Sequence, residues 1–263
     1  MGTMFKSAKQ KKTEKVHKTF EHVSIDYDAM NDISSLGMHR VYKQKLALEI
    51  KNRQYRRILD LCCGTGDMAF LLASQHTDME VFGVDFSEQM LNQARKRQSK
   101  KAIRNIEFLL QQAEHLMFRD EFFDCVVISF GLRDVGDCEE VLREAYRVLR
   151  PGGTIYCLET SQPERSELKQ LREVYQGKVI PAVSTFLNGK GMEFRYMAKN
   201  SKEFISRKHL AYLMQKSGFT KVGCASYLGG IIACHRGHKA ELSMEELRTR
   251  SQTASCDSFT IEE

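Results

Sequence analysis

Leu59-Asp60-Leu61-Cys62-Cys63-Gly64-Thr65-Gly66-Asp67-Met68-Ala69 reads as a strand that runs into a glycine loop and then into a helix. Gly64 and Gly66 have no side chains, so the backbone there can approach a ligand closely and take dihedrals that other residues resist. A second strand, Glu80-Val81-Phe82-Gly83-Val84, ends at Asp85. A carboxylate at that strand tip can accept both hydroxyls of a ribose. Together the two features point to an adenosine-bearing cofactor. Gly64-x-Gly66-x-x-Ala69 also satisfies the dinucleotide fingerprint, which keeps a nicotinamide oxidoreductase in play. A glycine turn that serves only tight strand-to-helix packing is the bland reading.

Outward from this loop the chain alternates strand and helix signals, as a parallel sheet with covering helices requires. Further strands read at Arg57–Leu61, Ile106–Leu110, Phe123–Ser129 and Thr154–Leu158. One helix starts after Gly66, another is capped by Ser87, and a third runs from about Asp137 to Leu149. A helix from about Arg207 to Ser217 and strands at 221–227 and 231–235 close the pattern. Ahead of it, the spacing of Val16, Phe20 and Val23 predicts an amphipathic helix, followed by a turn-prone Ile25–Asp32 segment that reads as a lid or packing arm. The weaker pattern of 163–200 suits an inserted substrate cover.

At 263 residues the chain makes one large domain or two small ones. Its 42% hydrophobic and 28% charged residues are ordinary for a globular protein and argue against a collagen, a wholly disordered chain or a bundle of membrane helices. No apolar run approaches the ~20 residues of a spanning helix. The polar N-terminus lacks a secretory core, so the expected compartment is the cytoplasm. The eight cysteines are scattered and form no C-x-x-C pair, so most read as reduced and buried, and no metal site is expected. The net charge of +6 is uneven. Lys6, Lys9, Lys11, Lys12, Lys15 and Lys18 crowd the start, while the tail from Ala240 leans acidic. These shifts divide the chain into a basic arm (1–15), a main domain (16–239) and an acidic, disordered extension (240–263). The arm's charge suits an anionic membrane surface or nucleic acid phosphates, or it is simply a solvated tail.

Three features favour S-adenosylmethionine over a nicotinamide dinucleotide. Asp60, just before the loop, can hold an ammonium through the loop or a water, and would repel a pyrophosphate. Arg147-Val148-Leu149-Arg150-Pro151-Gly152-Gly153 makes a turn of the methyltransferase kind, in which Pro ends a helix and Gly-Gly permits a sharp reversal. Too little chain follows Cys157 to build the substrate domain of a dehydrogenase.

Several separated motifs then combine: Tyr27-Asp28-x-Met30-Asn31-Asp32, Gly37-Met38-His39-Arg40, Leu61–Asp67, Ser129-Phe130-Gly131-Leu132-Arg133, Tyr146–Gly153, Leu158-Glu159-Thr160-Ser161-Gln162-Pro163 and Cys234–Lys239. From about Val16 to Lys239 the chain resembles the ubiquinone/menaquinone biosynthesis C-methyltransferases, and its Cys62-Cys63 loop is most like the menaquinone branch. The resemblance implies a class I, Rossmann-like methyltransferase fold: a seven-stranded, mostly parallel sheet with one antiparallel strand near the end and a helical cover. It implies cofactor contacts at Thr65, Asp85, Gln112, Ala113 and Ser129, with Gln112 standing where the family often has Asn or Asp. The implied reaction moves a methyl group from S-adenosylmethionine to the ring carbon of demethylmenaquinol. A ubiquinone-pathway benzoquinol is the second candidate acceptor.

Methylating a ring carbon requires electron density that a quinol supplies once a ring hydroxyl loses its proton, so a base and a cation belong near the ring. Arg133 is the best cation, being permanently charged and a ready donor to an oxyanion. Asp134 beside it can accept the proton, directly or through water. Family members usually carry Asn there, and a surface ion pair is the competing reading of the two residues. Tyr27, Asn31, His39 and Arg40 lie in shared motifs and are weaker candidates for ring contact. His235 reads as structural. Phe186, Met192, Phe194, Tyr196 and Met197 could line an isoprenoid groove or simply fill a core. The implied partner is a lipid-soluble quinol reached by transient contact at the inner membrane face, with no nucleic acid, and the sequence does not set the oligomeric state. Two competing functions stay open beside these: methylation of RNA, and a non-catalytic role on the same fold.

Overall fold

The computed structural model describes residues 27–75, 78–163, 170 and 204–241. Seven strands form one sheet in the order β3-β2-β1-β4-β5-β7-β6. They are β1 Arg57–Leu61, β2 Glu80–Asp85, β3 Ile106–Leu110, β4 Phe123–Ser129, β5 Leu149–Thr160, β6 Thr220–Tyr227 and β7 Ile232–His238. Strands β1 to β5 pair in parallel, and β7 runs antiparallel to both of its neighbours, as expected. Every residue of β4 is buried, which is why it reads as an unbroken apolar run.

Six helices are described: α1 Tyr27–Ser35, α2 Met38–Lys51, α3 Asp67–Ala73, α4 Glu88–Lys101, α5 Cys138–Val148 and α6 Arg207–Lys216. Alternate residues along a strand face opposite sides, so Ile58 enters one core and Leu59 the other. Leu46 and Ile50 of α2, Phe70 and Leu72 of α3 and Leu91 of α4 fill the first core. Val141, Leu142 and Val148 of α5 and Leu210 and Met214 of α6 fill the second. The predicted Ser87 cap forms, and Asp137, expected only as a helix start, caps as well. Ser87 Oγ accepts from Met90 N at 3.4 Å, and the Asp137 carboxylate accepts from the amides of Glu139 and Glu140.

Three expectations are corrected. The Ile25–Asp32 turn is instead helix α1 from Tyr27 onward, and α2 has no counterpart among the expected elements. Asp and Asn favour turns by bonding their own backbone, but here Asp28 reaches Thr65 and Asp32 grips Arg40 through two bonds of 2.6 and 2.8 Å. Released from that competition, the segment winds into a helix. Second, Pro151-Gly152-Gly153 does not reverse the chain but lies within β5. The register slips from Phe123↔Leu149 to Cys125↔Thr154, so the segment bulges out of the sheet. Gly152 has φ +78°, and Lys239 ties it down by accepting from Gly152 N and donating to Gly153 O. Third, β7 continues to His238. The basic arm, the amphipathic pattern from Val16, all but the first and one other residue of the 163–200 cover, and all but Ala240 and Glu241 of the acidic tail lie outside the described residues.

Candidate active site at the switch point

The chain moves outward from β1 to β2 and β3, then returns to place β4 on the other side of β1. At such a reversal the carboxyl ends of the strands open a crevice. Cys62, just past β1, has φ +61°, and Phe130, just past β4, has φ +59°. Left-handed backbone at two non-glycine residues costs each on the order of 1–2 kcal/mol, and the two flank this crevice. A Cβ at Gly131 would overlap the Cys62 side chain, so the loop after β4 lies directly on the glycine loop. The glycine loop and the Arg133 segment are thereby fixed relative to each other.

A cleft partly open to solvent runs from Cys62 past Asp85 and Gln112-Ala113 to Asp134. Its titratable lining among the described residues is Asp85, Glu114, Asp134 and the Cys62 thiol, with no lysine or arginine. That lining attracts a cation and repels a pyrophosphate. Asp85 is buried, with Oδ2 accepting from Gly64 N at 2.8 Å and Oδ1 from Ser87 N at 2.9 Å. Each oxygen keeps lone-pair capacity for a hydroxyl. Burial pushes the Asp85 carboxyl up to about 6 despite those amides. Asp60 is fully buried. Its Oδ2 accepts from Ala69 N at 2.9 Å, while Oδ1 has no hydrogen-bond partner. Burial raises its carboxyl to about 7. A buried, unpartnered carboxylate oxygen beneath the glycine loop fits a ligand that brings an ammonium to it.

Thr65 engages the covering helix. Its hydroxyl donates to Asp28 Oδ1 at 2.7 Å, and Arg97 Nη1 donates to Thr65 Oγ1, Thr65 O and Asp28 Oδ2 at 3.0–3.1 Å. Arg97 Nη2 also reaches Asp67 Oδ1 at 2.7 Å, and Lys43 Nζ lies 3.6 Å from Asp67 Oδ2. Burial alone would raise the Asp67 carboxyl, but Lys43 and Arg97 hold it down at about 2. Asp28 and Asp67 belong to motifs that stand out in the sequence. Arg97 and Lys43 sit in charge-rich helices whose sequence gives no sign that these two point inward.

Arg133 and Asp134 occupy a 3-10 turn after β4, and both are buried, so the surface-pair reading does not hold. Arg133 Nε lies 3.6 Å from Asp134 Oδ2, and Nη1 donates to Glu159 Oε1 at 2.6 Å. Of the expected cofactor and catalytic residues, Asp85, Gln112, Ala113 and Asp134 line the cleft, whereas Asp60, Gly64, Thr65, Gly66, Arg133 and Ser129, which ends β4 in register with Leu158, are not among the lining residues.

Among the four weaker candidates, Asn31, His39 and Arg40 gather around Ser35 and Asp32, and none of the three lines the cleft. His39 is buried, its Nδ1 2.7 Å from Ser35 Oγ, and burial followed by the Lys43 charge pushes it down to about 4. Arg40 is clipped to Asp32 at the surface. Asn31 is half-buried and its carbonyl accepts from Ser35 Oγ. The side chain of Tyr27 lies outside the described residues. His235 Nε2 donates to Arg207 O at 3.0 Å from within the final strand, as a structural residue would.

The strand order, the reversed β7 and a cleft at the switch point define a class I, Rossmann-like methyltransferase fold. Solved structures agree on the fold. An S-adenosylmethionine-dependent methyltransferase from Thermotoga maritima aligns with TM-score 0.61 at 24% identity over 85% of this chain and 99% of its own. Another from Aquifex aeolicus aligns with TM-score 0.58 at 15% identity over 81% and 98%. The family model for the ubiE/COQ5 methyltransferase family matches residues 7–239, and the chain belongs to that family. Curated relatives include the demethylmenaquinone methyltransferase of Listeria monocytogenes serotype 4a, 38% identical over 87% of this chain and 97% of its own length. That of Geobacillus kaustophilus is 36% identical over 88% and 99%. Family membership removes the oxidoreductase reading.

Proposed function

We propose that this chain transfers a methyl group from S-adenosylmethionine to the ring carbon of demethylmenaquinol, giving menaquinol and S-adenosylhomocysteine. The observation that carries the reading is that Asp134 lines the same cleft as Asp85 while pairing with the buried Arg133. In this reading the ribose carboxylate and the proton acceptor face one cleft, with Arg133 behind Asp134. The names of the relatives supply the acceptor.

Asp85 takes the ribose hydroxyls, Asp60 Oδ1 receives the ammonium directly or through water, and Gly64 and Gly66 keep the backbone close. Gln112 and Ala113 border the adenine, and Thr65 and Ser129 stand at the edges of the cofactor path. When bound, S-adenosylmethionine supplies a methyl group already activated on a sulfonium. Asp134 accepts the proton of the ring hydroxyl, and Arg133 holds the resulting phenolate oxygen. The oxygen's electron pair feeds the ring carbon, where the new carbon–methyl bond forms as the sulfur–methyl bond breaks. The ring carbon then releases its own hydrogen as a proton, which restores the aromatic ring. Most of the rate comes from orientation.

The test is incubation with methyl-labelled cofactor and a panel of demethylated naphthoquinols and benzoquinols, followed by mass spectrometry of the lipid fraction. Label on the naphthoquinol supports the reading. Label confined to a benzoquinol moves the enzyme to the ubiquinone side, and label in RNA or protein overturns the assignment. Asp85→Ala should abolish cofactor binding in calorimetric titration.

A further inference from the structure

Glu159 closes β5 beside the end of β4, where Phe130 N donates to Leu158 O at 2.8 Å. Its side chain is only 2% exposed. Oε2 accepts from Arg133 N at 3.0 Å, and Oε1 accepts from Arg133 Nη1 at 2.6 Å and from Thr160 N at 3.0 Å. Three donors on one carboxylate leave it little freedom, and the guanidinium it holds is equally restricted. The Phe130 ring lies 5.7 Å from the Arg133 guanidinium carbon, and Asp134 Oδ2 is 3.6 Å from Nε. Arg133 thus stands between two carboxylates on different elements.

Burying a carboxylate costs several kcal/mol, and apolar residues of similar volume often serve a fold as well. The strand end has no packing need for this charge. The charged and titratable groups facing it are Arg133 and Asp134 from the 3-10 turn and Cys157 from its own strand, with Asp85 and Cys62 facing Asp134 in turn.

We propose that Glu159 is a positioning residue for methyl transfer: it fixes the Arg133 guanidinium where the quinol oxygen arrives, and its negative charge strengthens Asp134 as the proton acceptor. The inference rests on the ring-methylation reading above. A negative neighbour raises a carboxylate's affinity for a proton, so removing it weakens the base while loosening the cation.

The test compares Glu159→Gln and Glu159→Asp with the parent chain in the naphthoquinol assay. In Glu159→Gln, kcat falls about 10- to 100-fold, and cofactor Kd stays within about twofold. The acid limb of its kcat/KM profile moves roughly one unit toward lower pH. Glu159→Asp keeps the charge, so the limb stays in place and part of the rate returns. In an Arg133→Lys background, Glu159→Gln adds little further loss, because the two act as a unit. An unchanged kcat, an acid limb that does not move, or additive losses overturn the proposal. If Glu159→Gln fails to fold, the Asp variant decides: a lower kcat with an unmoved limb and intact cofactor binding supports it, and an unchanged kcat overturns it. A parent chain that transfers no methyl to any quinol is a separate outcome, which sinks the function reading and this inference with it.

Discussion

Asp60 sits in β1 at zero exposure with one oxygen unpartnered, a state that opposes folding as soon as the group ionises. Its folded pKa of about 7 lies above the ordinary 3.8, so the folded chain holds a proton there that the unfolded chain releases. The resulting stabilisation is full below about pH 4 and is lost as pH rises to about 7. Cofactor binding has the opposite sign, because only the ionised carboxylate holds an ammonium. Asp60→Asn keeps an oxygen for Ala69 N and removes the charge. At pH 8 the cofactor-free Asn variant should therefore melt above the parent, and at pH 4 the two should coincide. Its cofactor affinity at pH 8 should be about tenfold weaker or worse, as expected for losing a charge-assisted contact. Parallel melting curves and calorimetry check both halves. Equal melting temperatures at pH 8 would show that Asp60 is not strained. The Asp85 carboxyl, pushed up to about 6, gives the parent's binding a second decline at lower pH. Burial of His39 pulls stability the other way with pH, but it is present in both chains and cancels in the comparison.

Among the elements, α1 and α2 separate what the sequence discloses from what it does not. Strand periodicity, the glycine loop, the Ser87 cap and the helix start at Asp137 are local, and each is legible. Asp28 and Asp32 look like turn formers until their partners, Thr65 and Arg40, are known, and the first of these lies 37 positions away along the chain. The burial of Arg133 is hidden for the same reason, because Glu159 reaches it from another strand. Glu159 stands in a shared motif yet carries no role in the sequence, since a lone Glu in an apolar strand end has no meaning until its donors are placed. The Asp28–Thr65–Arg97 cluster makes α1 a clasp on the cofactor loop. In Asp28→Ala, amide exchange over 27–35 should quicken while β1 and β4 keep their protection. Loss of the clasp also frees the Thr65 hydroxyl, so cofactor affinity should drop by a few-fold. Unaltered exchange in α1 would mean that the helix is held by its apolar contacts alone.

For the whole molecule, the open link is how a cleft at the carboxyl ends of the central strands would meet the lipid-soluble quinol proposed as its substrate. No described helix is long and apolar enough to cross a membrane. The family match begins at residue 7, so it takes in most of the lysines that composition alone sets apart as an arm. We propose that Lys6, Lys9, Lys11, Lys12 and Lys15 draw the chain to an anionic surface without embedding it, since each basic residue near such a surface adds about 1 kcal/mol of attraction. Replacing these five with Gln leaves the Asp85 cleft and the Arg133–Glu159 pair untouched. Turnover of a long-tailed demethylated quinol in vesicles containing phosphatidylglycerol should then fall at least tenfold, whereas turnover of a short-tailed, water-dispersed quinol should stay at the parent's level. Raising salt should produce the same loss in the parent, because exposed charges are screened within about 10 Å at 0.1 M. If vesicle turnover persists in the five-Gln chain, the lysines are a solvated tail and the quinol is reached without them.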